Sequence, residues 1–401
     1  MKKKKELKRP VSEYEDITQH EIHALTMDKN LADAHTHQSQ SKSQAENIIA
    51  NLPTIWYEAE DATQAEMEQK FLRDFFRVAN QEEVMDGYPP MLVYASSIAM
   101  VIVANYFMKN KMSVALIEPC FDNLHDIMKH MQIPMQPLKE EWLNDPDKIY
   151  DNLKANITSD VIFIVDPNNP TGHTMFKHGD KAYLELIRYA LDHDKLLVFD
   201  YCFAPFVDNS GEVPVPRVYK LLNESGVKYI AIEDTGKTWP LQDTKVAILK
   251  VCESLYKEVY SIHTAYLLNV SPFILNLVSA YICDSEKDKF ESVYGLLRTN
   301  NKIARDILEG SALEYMAPDV SVSVAWYKIK DDLFTASELQ EFVLNYSEVY
   351  ILPGTYFFWS DRSQGESFIR IALARNSDVF TSSLKGLRAA VDELERIKKN
   401  N

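Results

Sequence analysis

Six short apolar runs set the architecture of this chain: Met91 to Tyr94, Val114 to Ile117, Val161 to Val165, Leu196 to Phe199, Tyr229 to Ile232 and Val246 to Leu249. Each is continuously apolar, so a strand made from it must be buried on both faces. Stretches with helical spacing separate most of them, such as IAMVIVANYF after Ser96 and Ser97. Parallel strands need crossovers of that kind, and the helices then cover both sides of the sheet. The chain is therefore predicted to be α/β with a mostly parallel central sheet. The Val246 run follows its neighbour through a short connection and is the expected antiparallel exception.

The pattern changes further on. Ser271 to Leu308 reads as long helix broken near Ser285, followed by strands at Val320 to Tyr327 and Phe368 to Leu373 and a final helix from about Val379 to Lys398. We expect a flexible arm over 1–45, a large domain over 46–285 and a smaller α+β C-terminal domain over 286–401. The formal net charge of -16 argues against nucleic-acid or anionic-membrane partners, which need clustered positive charge. No apolar run follows MKKKKELKR, so no secretory signal is expected, and four scattered cysteines without a CxxC suit a reduced cytoplasmic setting. His20, His23, His35 and His37 fall within eighteen residues, but no cysteine or regular helical i, i+4 spacing supports a metal, and none is expected.

Polar groups follow the apolar runs at what would be their carboxyl ends, where ligands collect in open α/β sheets. Lys237, in IEDTGKTWPLQDTK, can form a Schiff base with an aldehyde if burial and cationic neighbours lower its pKa. Ser96 and Ser97 open a helix whose free N–H groups attract phosphate, with Thr235 and Lys245 as further phosphate candidates. Phe121 could stack on a flat heteroaromatic ring. Asn169, in DPNNPTG, can donate to a ring oxygen. Asp200 ends the apolar LLVF run, where a carboxylate needs a cation such as a protonated pyridine nitrogen. Arg370, on the half-apolar FIRIALA stretch, offers a fork for a planar carboxylate. Singly, each has an ordinary reading as a cap, a core ring or a turn. Together they suit pyridoxal 5'-phosphate.

Their order resembles that of fold type I pyridoxal-phosphate enzymes over about residues 45 to 398. The resemblance implies a homodimer with active sites at the subunit interface and Lys237 as the cofactor-bearing lysine. One departure stands out: Phe203 occupies the place of the tyrosine expected three residues after the strand-end aspartate, which leaves Asn169 as the donor to the cofactor's phenolic oxygen.

A narrower resemblance covers nearly the whole chain. ITQHEI, NLADAHTHQ, LPTIWYEAE, YASSIAM, FDN, DPNNPTG, IEDTGKTWP and FIRIALAR are similar to segments of pyridoxal-phosphate-dependent L-arginine oxidases and hydroxylases, within the class I/II aminotransferase superfamily. It implies that the arm closes over bound arginine, with Thr18, Glu21 and Asn169 contacting substrate and Asp234 meeting the guanidinium. It also implies that Lys237, Asp200 and His35 do the chemistry, His35 in hydroxylation. Molecular oxygen would be the co-substrate. Hydrogen peroxide, ammonia and 2-oxoarginine or 4-hydroxy-2-oxoarginine would be the products, with a dehydroarginine on the way. The residue chemistry agrees, since a guanidinium needs carboxylates, and an imidazole titrates near neutrality. An aminotransferase of cationic amino acids is the alternative expectation, and a non-catalytic cofactor-binding protein a third.

Overall fold

The computed structural model describes residues 14–207 and 213–400. The lysine-rich start lies outside them. In chain order the strands are β1 (Lys29–Asn30), β2 (Met91–Val93), β3 (Val114–Glu118), β4 (Met135–Lys139), β5 (Val161–Val165), β6 (Leu196–Asp200), β7 (Tyr229–Asp234), β8 (Ala247–Val251), β9 (Leu313–Met316), β10 (Val324–Ile329), β11 (Val349–Tyr350), β12 (Leu352–Pro353) and β13 (Phe368–Ala372).

Seven of these form one sheet in the order β2-β8-β7-β6-β5-β3-β4. It is parallel from β4 to β7, and β8 runs antiparallel to both β7 and β2. The central strands β3, β5, β6 and β7 are buried at every residue, as their continuous apolar runs require. Edge strand β4, MQPLK, pairs on one side only and tolerates Pro137 and half-exposed positions, so it carries no such signal. After β3 the chain steps outward to β4 and returns on the other side as β5. That reversal opens a crevice at the carboxyl ends of β3 and β5.

The C-terminal part builds an antiparallel sheet, β12-β13-β10-β9. The long helical region divides into Pro272–Lys287 and Glu291–Leu308. The break lies a few residues beyond Ser285, where Lys289 and Phe290 take left-handed backbone angles (φ 55° and 61°).

From Tyr14 onward, the described part of the arm packs against the C-terminal part of the chain. Helix Ile17–Ala24 starts on Asp16, whose carboxylate accepts from the Gln19 N–H at 2.7 Å. Its buried Ile17 and Ala24 join Ala32 in an apolar cluster with Trp326, Tyr350, Leu352 and Phe357. Strand β1 then pairs in parallel with β11. His20 is buried against the Tyr350 hydroxyl (2.8 Å), and burial lowers its pKa to about 4, so it is a neutral packing residue. The packing partners of this polar segment lie some three hundred residues onward, so its own sequence does not show them.

Candidate active site

The site occupies the crevice at the sheet's carboxyl edge and is closed over by the arm. Lys237 reaches it from the loop after β7, and Lys245 from just before β8. The Nζ atoms of both lie 3.2 Å from one acceptor, His35 Nε2. Asp33 explains why that nitrogen can accept: its Oδ1 is 2.6 Å from His35 Nδ1, which keeps the ring proton on the far side. The same carboxylate binds His37 through Oδ2. Burial alone would raise the Asp33 pKa, but hydrogen bonds from His35 and His37 outweigh it and hold the group well below the carboxylate range.

Asp234 ends β7 beside these lysines. Burial pushes its pKa up, and Lys237 and Lys245 pull against that. Arg370, on the central part of β13, is almost fully buried. It donates through Nη1 to Asn169 Oδ1 (3.2 Å) and through Nη2 to Glu21 Oε1 (2.9 Å) and the Ala32 carbonyl. Glu21 thus fills the anion position on the fork. With its oxygen engaged, the Asn169 amide keeps its N–H groups for another acceptor. Ser96, Ser97 and Phe121 also line the pocket, the serines opening helix Ser96–Lys109.

Two expected residues are turned elsewhere. The Thr235 hydroxyl, fully buried, donates to the Val246 carbonyl (3.0 Å) and accepts from the Val246 N–H (2.9 Å), tying β7 to β8 away from the pocket. In this structure the hydroxyl serves as a tie between the two strands and does not face the pocket. Thr235→Val is expected to lower stability by about 1–3 kcal/mol, because a buried N–H loses its acceptor, while cofactor affinity stays as in the wild type. Paired thermal melts and cofactor titrations check this, and a weakened cofactor with an unchanged melt would reverse the assignment. Thr18 donates to Asn123 Oδ1 (2.9 Å), and it is Asn123 that lines the pocket.

Asp33 and Asn123 escape a reading of the sequence. The Asp-x-His-x-His spacing of ADAHTH is the signal for Asp33, since a carboxylate between two imidazoles orients both. Glu21, Asp33 and His35 bring ligand-type atoms within 4.8 Å of one another. A divalent ion there would meet the Arg370 guanidinium and two lysine ammoniums, so the cluster suits an anion-and-cation lock better than a metal.

The residues fit pyridoxal 5'-phosphate. Asp200, fully buried at the end of β6, accepts from the Cys202 N–H at 2.9 Å through Oδ1, while its Oδ2 is buried without a partner among the described residues. Burial lifts its pKa to about 6, and a protonated ring nitrogen would supply the missing donor. Lys237 would take the aldehyde. The first turn of helix Ser96–Lys109 and Lys245 would take the phosphate.

The sequence model of the aminotransferase class I and II family matches residues 57–381. An aspartate aminotransferase of Pyrococcus horikoshii is 21% identical over 264 residues, which are 64% of this chain and 63% of the relative. An aromatic-amino-acid aminotransferase of Thermococcus litoralis is 22% identical over 256 residues, 62% and 60% of the two chains. The chain thus spans about three-fifths of the length of these two curated relatives. Among solved structures, MppP soaked with the product 2-ketoarginine superposes with a TM-score of 0.80 at 26% identity, covering 90% of this chain and 99% of that one. The α-aminoadipate aminotransferase LysN of Thermus thermophilus, complexed with N-(5'-phosphopyridoxyl)-L-leucine, gives 0.73 at 17% identity over 96% of each chain and shares the fold.

Proposed function

Because the chain belongs to the class I and II aminotransferases, a family of pyridoxal-phosphate-dependent enzymes, we propose that it turns this chemistry to the oxidation of L-arginine by molecular oxygen. The products on this reading are 2-oxoarginine or 4-hydroxy-2-oxoarginine, with hydrogen peroxide and ammonia. The observation that carries the proposal is the pairing of a buried carboxylate, Asp234, with a lid histidine, His35, around Lys237. The solved MppP structure with 2-ketoarginine, the oxo acid of arginine, supports the choice of substrate. The aminotransferases among the relatives favour a second reading, transamination of arginine or a similar cationic amino acid.

Arg370 binds the substrate's α-carboxylate in place of Glu21. Glu21, so released, and Asp234 hold the guanidinium at the other end, with Thr18 steadying the arm through Asn123. The bound cofactor supplies an electron sink for the substrate's α-carbon. Asp200 holds the ring nitrogen protonated, and Asn169 donates to the ring oxygen. Lys237 Nζ takes the α-proton. His35, its tautomer set by Asp33, receives protons at Nε2 and orients the water that adds at C4 when the product is hydroxylated. On this reading the arm is a lid between a large domain over 46–285 and a small one over 286–401. Two copies pair into a homodimer, for which the exposed Trp56, Tyr57 and Leu268 are suited.

The substrate assignment is tested with L-citrulline, the neutral near-isostere of arginine. Removing the guanidinium charge strands two carboxylates, so kcat/KM is expected to fall by about a hundredfold or more. Equal values for the two substrates would remove the acidic pair from recognition.

A further inference from the structure

Arg375, three residues beyond β13 in FIRIALAR, has no part in the chemistry above, yet it is one of the most deeply buried cations of the chain (4% exposed). Among the described residues it makes no ion pair. Its donors go to backbone carbonyls: Nε to Asn30 (2.8 Å), Nη1 to His35 (2.9 Å) and Ala374 (3.0 Å), and Nη2 to Asp33. Burying a guanidinium against carbonyls alone is unfavourable unless the geometry is well satisfied. Burial lowers the Arg375 pKa to about 10, so the group stays charged at neutral pH. Three of its four acceptors belong to the segment 30–35, which carries both Asp33 and His35.

The same segment and His37 just after it are sewn by backbone bonds to β11, to β13 and to the residues just after β13. Leu31 N–H donates to Tyr350 (2.9 Å), Ala372 N–H to Leu31 (2.8 Å) and His37 N–H to Ala374 (3.0 Å). On the other side, the Thr36 hydroxyl donates to the Trp239 carbonyl at 2.7 Å, two residues past Lys237. Residues 30–37 therefore form a strap that bridges from β13 to the lysine loop, and three of its carbonyls converge on Arg375.

We propose that Arg375 is the positioning residue of the histidine strap: by gathering the carbonyls of Asn30, Asp33 and His35 on one planar fork, it fixes where His35 stands over Lys237 and Lys245. The proposal rests on the reading that His35 acts on bound substrate. Only guanidinium spans these acceptors; an ammonium is a point donor, and a glutamine amide offers two N–H groups.

The test compares Arg375→Gln and Arg375→Lys with wild type and His35→Ala as purified holoenzymes. The first readout is amide hydrogen exchange. Amides 31–37 are expected to exchange about tenfold faster or more in Arg375→Gln, while those of β6 and β7 keep their wild-type rates. The second is the ratio of hydroxylated to unhydroxylated oxo acid from arginine. It should shift toward the unhydroxylated acid as in His35→Ala, with no further shift in the double variant. Should Arg375→Gln fail to fold, Arg375→Lys reads the same two quantities. Unchanged exchange in 31–37, exchange that quickens throughout the protein, or a quickened strap with an unaltered product ratio would each overturn the proposal. If the wild type consumes no oxygen, the oxidase reading fails, and the exchange data alone decide whether Arg375 holds the strap.

Discussion

Lys237→Ala is expected to abolish the visible absorbance of lysine-bound cofactor and to lower turnover of arginine by about 10⁴-fold or more, since on the proposed reading one side chain both tethers the aldehyde and removes the α-proton. Lys245 also reaches the site, and its Nζ is as close to His35 as that of Lys237. It reaches the pocket from just before β8, with Asp243 at 3.6 Å, and on the proposed reading it holds the phosphate. Lys245→Ala should therefore weaken the cofactor while keeping the absorbance when cofactor is in excess. Absorbance spectra of the two variants, side by side, decide the assignment. A Lys237→Ala protein that stays yellow, or a Lys245→Ala protein that cannot become so, would exchange the two roles.

Asp200→Asn is expected to act in opposite directions on activity and stability. The amide keeps the shape of the side chain but cannot hold a ring nitrogen protonated, so arginine turnover should fall by about a hundred- to a thousandfold. In the cofactor-free protein the sign reverses. Burial raises the Asp200 pKa from 3.8 to about 6. The unfolded chain therefore releases its proton first as pH rises, and the folded state loses relative stability across that window, with no further loss above it. At about 1.4 kcal/mol per unit, the ionised carboxylate destabilises the empty protein by roughly 3 kcal/mol at pH 8. Cofactor-free Asp200→Asn should thus melt higher than wild type at pH 8 and nearly with it at pH 4. Wild-type stability in the empty form at both pH values, with lost activity, would mean that the carboxylate has another cationic partner.

Much of this was legible along the chain because buried parallel strands leave a dense signature. LLVF followed by Asp200, and YIAIE followed by Asp234, announce strands that end in groups needing partners. Arg370 was legible for the same reason: a guanidinium within an apolar strand has few uses besides holding an anion. Weaker signals belonged to elements whose identity comes from distant contacts. Strand β1 is two residues long and exists because β11 lies beside it, and edge strand β4 needs no apolar face. Thr235 shows a different limit. Position in the chain brought it next to Asp234, but the side-chain direction at the end of β7 turns its hydroxyl onto Val246. Nor does spacing reveal that Glu21 rests on Arg370, since 349 residues separate them.

The central claim, that this fold oxidises arginine with oxygen, is tested most directly by incubating the purified, cofactor-loaded protein with L-arginine alone and following dissolved oxygen and peroxide together. Oxygen uptake with matching peroxide, in the absence of any keto acid, is the predicted result. No uptake until a keto-acid acceptor is added, followed by appearance of the acceptor's amino acid, would contradict it and make the protein an aminotransferase.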